Sequence, residues 1–448
     1  MIFLRSMLER LRTNPLTARM IRNSGYLFSA NTLSAGLSMA QSILAARLLG
    51  VENFGVLGAI TQFSSVINRV TSFRMGELVI SYLGEFQSKG QQKHSAALFK
   101  VAGLAELISA VLAFLLLLLL APLGARIMVQ NPLMTDLFVL YGFSILANLV
   151  AESATGVLQT FNRFRMIAII TVLQSMMTLL LIGAAYLLHG GLREVVIAYL
   201  IGKAIFAGFI TVTALRQARQ EWGNDWWRAP LAPIWERRRE LLRFAFSTNI
   251  SGTVNLVSRD SDILWISSLS SPVMAGYYKV AKAFTNVLLV PVTPLISATF
   301  REAAREVAEK HWENVRYLLR SGSMISAMWT LPASLGLVIF GPWLVLLYGS
   351  EFRPAYPVLL ILLLGVIVVN IFYWNRSVLL ALGLPDFPTK VSVAVAVVQV
   401  SGMFILVPRY GANAMAALLS GYFLLTAGTM ILRTVQELRA RSIGMGRT

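Results

Sequence analysis

Charged side chains stand inside apolar stretches of this sequence, where an ionisable group is costly unless it lines a wet cavity or meets a partner. The stretch LVSRDSDILW places Arg259, Asp260 and Asp262 within four positions. At helical spacing Arg259 and Asp262 share a face and can form an ion pair, whereas Asp260 points elsewhere. We therefore expect Asp260 to bridge to Lys279 or Lys282 on the following helix. Such a bridge could hold the two helices together, exchange partners during a conformational change, or take part in proton or ion coupling.

Polar and charged side chains also recur at helical spacing in other apolar windows. Arg69, for example, shares a helix face with Gln62 and Ser65. The candidate binding residues are Arg69, Asn31, Gln41, Arg259, Lys279, Lys282 and Arg376, and the candidate gating or coupling acids are Asp260, Asp262 and Glu152. These side chains could line a cavity between two halves of the molecule, or could pack against neighbouring helices through polar contacts.

Motifs for catalysis or metal binding do not occur in the sequence. It has no cysteine, no GxxxxGK[ST], HExxH or GxSxG motif, and its three histidines fall far apart in predicted loops. We therefore expect no metal site, no cofactor and no enzymatic activity. A membrane glycan polymerase or ligase would be the natural enzymatic alternative. Such an enzyme needs catalytic groups on an extramembrane loop, and the predicted outer loops are short.

The composition is that of a polytopic membrane protein. Of 448 residues, 56% are hydrophobic and only 13% are charged, against about 25% charged in soluble domains. A membrane-spanning helix needs roughly 20 mostly apolar residues, and this criterion predicts twelve helices in an all-α fold. They cover 25–47, 55–73, 97–120, 134–160, 166–188, 193–215, 244–267, 276–298, 318–340, 355–382, 387–407 and 410–433.

The positive charges mark the side of the membrane on which each loop lies. The net charge is +18, but Lys and Arg concentrate in alternate gaps between the predicted helices, as is typical of cytoplasmic loops. This pattern explains the charge without nucleic acid and predicts that both termini are cytoplasmic. We expect residues 1–24 to form a basic interfacial helix. We expect the linker 216–243, which places tryptophans beside arginines, to lie along the inner membrane surface.

The chain also repeats itself at a spacing of about 220 residues. FSAN at 28–31 corresponds to FSTN at 246–249, Pro122 after helix 3 to Pro342 after helix 9, and Gly191 before helix 6 to Gly411 before helix 12. The repeat predicts two six-helix lobes, related by a pseudo-two-fold axis along the membrane normal. They cover residues 25–215 and 244–433, and residues 434–448 form a cytoplasmic tail.

Four segments of the sequence resemble one family of membrane proteins. RLLGVENFGVLG (47–58), DILWISSLSSPVMAGYYKVAKAF (262–284), LVLLYGSEFRPAYPVL (344–359) and LVPRYGANAMAAL (406–418) are similar to segments of the Wzx-type polysaccharide flippases. Their superfamily includes the lipid II flippases and the multidrug and toxin extruders. The sequence SSLSSP at 267–272 departs from the LLG that usually ends helix 7, which weakens the match there.

The resemblance implies a flippase of the bacterial inner membrane that serves lipopolysaccharide or exopolysaccharide export. It would move an undecaprenyl-pyrophosphate-linked oligosaccharide from the inner to the outer leaflet by alternating access through a cationic central cavity. Arg69 would then meet the pyrophosphate and Lys282 would receive it nearer the outside, since Arg and Lys compensate phosphate charge. Alternatively, Arg69 forms a structural ion pair with Glu152 or Glu106.

Other functions and partners follow from the same residues. The alternatives are an ion-coupled multidrug-type exporter, a glycan polymerase or ligase, and a non-transporting scaffold. The excess of cations among the candidate residues favours an anionic cargo over a cationic drug. The expected partners are the lipid-linked glycan, membrane lipid and the glycan polymerase or ligase machinery, and we expect a monomer.

Overall fold

The computed structural model describes residues 15–72, 75–237, 239–241, 243 and 256–444. Within these residues the chain is almost entirely helical and contains no β-strand. The predicted all-α fold is therefore confirmed. The first part of the predicted interfacial helix (1–14) and the first half of predicted helix 7 (244–255) lie outside the described residues.

The described residues of the first half of the chain form seven α-helices. They are α1 (Pro15–Thr71), α2 (Met75–Ser88), α3 (Gln92–Met128), α4 (Thr135–Ala147), α5 (Ala151–Thr160), α6 (Phe164–Leu187) and α7 (Leu192–Trp222). Gly50 interrupts α1 with non-helical torsions, φ 69° and ψ 178°. This region of backbone space is almost reserved for glycine, so Gly50 allows the chain to turn between the predicted helices 1 and 2.

A short helix, α8 (Ala232–Glu236), lies in the linker, and seven more helices follow the π-helical turn Leu256–Asp260. They are α9 (Asp262–Leu269), α10 (Pro272–Leu289), α11 (Thr293–Ala308), α12 (Trp312–Leu346), α13 (Ala355–Ile371), α14 (Asn375–Ala381) and α15 (Asp386–Gly444). Gly411 interrupts α15 at positive φ, as Gly50 interrupts α1.

Eight helical segments of the described chain are long and apolar enough to cross a membrane, and the bent pair α10 and α11 would make a ninth. Two of the eight, in α1 and α15, each contain two predicted spans joined at a glycine. Helix α2 lies between the predicted spans 55–73 and 97–120, in a stretch for which the sequence predicted no helix. Its apolar residues Leu78, Tyr82 and Phe86 are buried.

The two halves show corresponding irregularities. Helices α4 and α5 are one predicted helix interrupted at residues 148–150, and helices α13 and α14 are another interrupted at residues 372–374. Pro122 lies inside α3 and Pro342 inside α12, whereas the sequence placed both prolines after their helices. The repeat therefore extends to the positions where helices break.

The described chain forms two compact units. The first contains the described residues within 1–42, 63–125 and 131–253, and the second those within 43–62, 126–130 and 254–448. In the first unit, the apolar faces of α2 and α5 meet in a buried cluster that includes Val79, Leu83, Ala154 and Val157. Gly156 makes this packing possible, because a Cβ there would lie 2.9 Å from the carbonyl oxygen of Gly76.

In the second unit, residues 43–62 of α1 cross α10 closely at two glycines. A Cβ at Gly276 would lie 2.5 Å from the carbonyl oxygen of Val51, and a Cβ at Gly55 would overlap the carbonyl oxygen of Pro272. Small residues of this kind allow membrane helices to approach backbone to backbone. The crossing positions the side chains of α1 and α10 that form the cluster described next.

Candidate functional sites

Asp262 is the centre of a polar cluster in the second unit. Its side chain is fully buried, and Lys282 donates a hydrogen bond to Oδ2 in an ion pair. The hydroxyl of Tyr278 donates to the same oxygen over 2.9 Å, and the amide of Gln62 lies 3.4 Å from Oδ1. Because a buried carboxylate needs an opposite charge and hydrogen-bond donors, the cluster supplies what Asp262 requires.

This cluster corrects the predicted pairing of helices 7 and 8. The two helices are bridged, but Lys282 pairs with Asp262, whereas the sequence predicted Asp260 as the acid. The predicted intrahelical pair of Arg259 and Asp262 is also wrong. The Arg259 guanidinium lies over the ring of Phe423, 5.0 Å from its centroid. The cause is the π-helical turn Leu256–Asp260, which shifts the register that α-helical spacing assumes.

Lys279 makes its contacts with α1. Its Nζ lies 3.9 Å from the centroid of the Phe54 ring and donates to the Phe54 carbonyl oxygen over 3.4 Å. Phe54 in turn packs edge-on against Tyr348 and Phe352, at centroid distances of 6.3 and 5.8 Å. Lys279 is thus a cation held over an aromatic cluster, which stabilises it by a cation–π contact.

In the first unit, Glu106 caps the break between α4 and α5. Its carboxylate oxygens accept hydrogen bonds from the backbone N–H groups of Glu152 and Ser153, over 2.8 and 2.9 Å, and from the Ser153 hydroxyl over 2.6 Å. A helix that begins within a membrane leaves N–H groups without intrahelical partners, and an acid at its N-terminus satisfies them. Glu106 therefore acts as a helix cap for α5.

Arg69 and Lys203 are neighbouring cations in the first unit. Both side chains are exposed, and they are close enough for their charges to interact. Lys203 forms no ion pair with any residue that the structure describes. The sequence analysis left Lys203 out of the candidate set, although a lone lysine in the apolar stretch LIGKAIFAG is itself a signal.

The remaining candidates separate into exposed and buried side chains. Asn31, Glu152 and Arg376 are exposed. Gln41 is buried and its amide donates to the carbonyl oxygen of Ser175 over 2.6 Å, which ties α1 to α6. For Gln41 the structure therefore shows the polar packing that the sequence left open as the alternative.

Long apolar helices, a repeat that includes broken helices, and ionisable groups inside the spans define a polytopic membrane protein. Comparison with known proteins makes this class specific. Residues 20–300 match the sequence profile of the family described as polysaccharide biosynthesis protein. The chain belongs to that family, which confirms the family resemblance seen in the sequence.

Individual proteins are also similar to this chain. An inner membrane protein of Escherichia coli (strain K12), YghQ, is 20% identical over 340 residues, which are 75% of this chain and 94% of that protein. A multidrug resistance MATE family transporter of the MOP superfamily, solved in an inward-facing conformation, has the same fold. It superposes with a TM-score of 0.75 at 15% identity and covers 92% of this chain and 95% of its own.

Two further solved structures share the fold. The lipid II flippase MurJ, in an inward closed conformation, gives a TM-score of 0.70 at 14% identity, over 93% of this chain and 90% of its own. A MOP superfamily transporter from Pyrococcus furiosus, described as having a binding pocket of reverse polarity, gives a TM-score of 0.68 at 16% identity. The match covers 96% of this chain and 98% of that transporter. The predicted architecture of about twelve spans in two six-helix lobes is thereby confirmed.

Proposed function

We propose that the protein is a flippase of the bacterial inner membrane that moves an undecaprenyl-pyrophosphate-linked oligosaccharide from the inner to the outer leaflet. The family supports a role in polysaccharide biosynthesis, and the fold is one that includes a lipid II flippase. Alternating access would carry the headgroup across while the polyprenyl chain stays in lipid. Both termini would face the cytoplasm.

The observation that carries the proposal is the pair of like charges formed by Arg69 and Lys203. A cation on a membrane-embedded helix is costly and commonly marks a ligand pathway, and two neighbouring cations there require a ligand that is anionic. A pyrophosphate meets this requirement, and the guanidinium of Arg69 can bind two of its oxygens at once. Lys203 adds a second, compact positive charge.

The candidate residues of the second unit would act at a later stage. Asp262 neutralises Lys282 in the described conformation, so Lys282 would become available to an anion only when the cluster rearranges. Exposed Arg259 and Arg376 would contribute further positive charge, and the amide of Asn31 suits sugar hydroxyls. The ion pair of Asp262 and Lys282 is thus our candidate for a contact that changes during transport.

The test is substitution of Lys203 and Arg69 in a strain that depends on this protein for surface polysaccharide. Lys203→Gln and Arg69→Ala should cause lipid-linked repeat units to accumulate on the cytoplasmic face, while the protein still inserts into the membrane. Lys93→Gln is the matched control, because Lys93 is an exposed lysine in the first turn of α3, outside the apolar core of the span. Normal export by fully expressed Lys203→Gln and Arg69→Ala variants would refute the assignment.

The same strains distinguish the flippase from an ion-coupled multidrug-type exporter. A flippase lacking Lys203 should leave sensitivity to cationic dyes unchanged. If the intact protein instead confers resistance to such dyes, and its loss leaves lipid-linked units in their normal distribution, the exporter is the correct function. Cation substitutions would then strengthen dye efflux, because they remove charge that repels the cargo.

A further inference from the structure

A separate cavity of about 290 Å³ opens in the first unit at the ends of four helices. It lies between the end of α2, the turn into α3, the end of α5 and the end of α7, on the side that the sequence predicts to be cytoplasmic. Gly90, at φ 67°, allows the tight turn from α2 into α3 that forms one wall. None of the residues so far proposed to bind the cargo lines this cavity.

Amide groups and aromatic rings line the cavity together. Three glutamines, Gln87, Gln91 and Gln92, offer amides that can each donate two hydrogen bonds and accept others. Phe161 and Trp222 lie beside them, half-buried, with ring centroids 5.9 Å apart. An aromatic face carries partial negative charge and attracts the C–H groups on one face of a pyranose ring. Amide groups and aromatic rings in one lining are together suited to a sugar.

The charge of the lining selects against a phosphate. Glu221 is the one ionisable residue among the described residues that line the cavity, and the side-chain amide of Gln217 donates to one of its carboxylate oxygens over 2.8 Å. A carboxylate without a lining Lys or Arg repels an anion but accepts hydrogen bonds from hydroxyl groups. The volume lies just below the roughly 300–1,000 Å³ of sites for drug-sized ligands. It suits one or two sugar rings, and a whole repeat unit would not fit.

We propose that this cavity is a saccharide-recognition site, in which a neutral sugar of the lipid-linked cargo binds on the cytoplasmic side. The inference rests on the proposed function, because a flippase must receive its cargo from that side. Sugar and pyrophosphate would then be recognised at different places, the sugar by amides and rings and the pyrophosphate by cations. A free cytoplasmic saccharide has the same chemistry, so the experiment compares both sources.

The experiment measures saccharide binding to the full-length protein in lipid nanodiscs. The probes are the lipid-linked repeat unit extracted from a strain that lacks the protein, the oligosaccharide released from it by mild acid, and free glucose and N-acetylglucosamine. Gln92→Ala should weaken binding of the released oligosaccharide about 5- to 10-fold, the loss of one or two hydrogen bonds. Glu221→Ala should weaken it by a similar factor. Gln220→Ala is the matched control, since Gln220 is an exposed glutamine at the end of the same helix as Glu221 but outside the lining.

Each outcome supports or overturns the assignment. Binding of the lipid-linked unit that falls in Gln92→Ala and Glu221→Ala, but not in Gln220→Ala, supports it. If glucose or N-acetylglucosamine binds and the released oligosaccharide does not, the cavity senses a free saccharide and the cargo assignment is wrong. Absence of binding by every probe, while Lys203→Gln still stops export, removes the site and leaves the flippase function standing. Normal distribution of lipid-linked units without the protein would instead refute the function, whatever the cavity binds.

Discussion

The ion pair of Asp262 and Lys282 gives a stability prediction with a definite asymmetry. The Asp262 side chain is 0% exposed and the Lys282 side chain 25% exposed, so the two single substitutions strand charges in different surroundings. Lys282→Met leaves a fully buried carboxylate with only neutral donors around it. Asp262→Asn leaves a lysine that can shift towards water.

The magnitudes follow from this difference in burial. Breaking a buried pair by removing one partner costs about 3–5 kcal/mol. We expect Lys282→Met near the upper value, and Asp262→Asn nearer 3 kcal/mol or below it, because partial exposure of Lys282 lessens its penalty. The double variant contains no stranded charge. Its loss in the free energy of unfolding should therefore be about 2 kcal/mol smaller than the sum of the losses in the two single variants.

The assay is reversible unfolding in mixed detergent micelles, monitored by tryptophan fluorescence for the four proteins of the double-mutant cycle. Arg259→Met is the control, because removing the cation–π contact with Phe423 should cost only about 0.5–1 kcal/mol. Asp260→Asn tests the pairing that the sequence suggested and should cost less than Asp262→Asn. Additive single effects, or a larger loss from Asp262→Asn than from Lys282→Met, would refute the reasoning.

Three further predictions concern topology, backbone and pH. A single cysteine at Gly190 should react with an impermeant maleimide in whole spheroplasts, whereas one at Asn224 should react only after lysis. Labelling of both from outside would contradict the proposed orientation. Gly50→Ala should destabilise the protein by about 1–3 kcal/mol in thermal melts, because Gly50 occupies a glycine-only region, and Gly36→Ala, in open helical surroundings, should not. Hydrogen bonds from Arg237 lower the pKa of Glu240 from its usual 4.5. The ion pair of Arg237 and Glu240 in the linker should therefore hold above pH 4.5 and weaken as the pH falls through the lowered pKa of Glu240. Hydrogen exchange of the linker amides should then become faster in acid relative to Glu240→Gln. Protection that is unchanged in acid, or an equal response in Glu240→Gln, would refute this prediction.

The membrane-spanning helices could be read from the sequence, because each needs a long apolar window and few charges. Helix α2 was missed because its composition is mixed and only its apolar face is buried. The breaks at residues 148–150 and 372–374 were missed for a related reason, since an apolar window does not reveal interruptions within it.

The candidate sites were predicted less completely than the helices. Asp262, Lys282 and Arg69 were identified as costly charges in apolar stretches, which is a property of composition alone. Their partners depend on the direction in which each side chain points. The π-helical turn before Asp262 changes that direction, and α-helical spacing in the sequence does not predict the change. Lys203 was left out of the candidate set although its apolar surroundings in the sequence mark it in the same way.

The cap that Glu106 provides for α5 has a consequence for biosynthesis. The amide of Glu152 is 46 residues further along the chain than the carboxyl group that it meets. At translation rates of about 5–20 residues per second, roughly 2–9 seconds separate the synthesis of the two. During that interval α3 would carry an unpaired acid into hydrocarbon, so it must remain beside the insertion machinery or in contact with water until α5 has been made. Release of α3 into the bilayer therefore depends on the synthesis of α5, and the first unit can leave the insertion machinery only after the contact between α3 and α5 has formed.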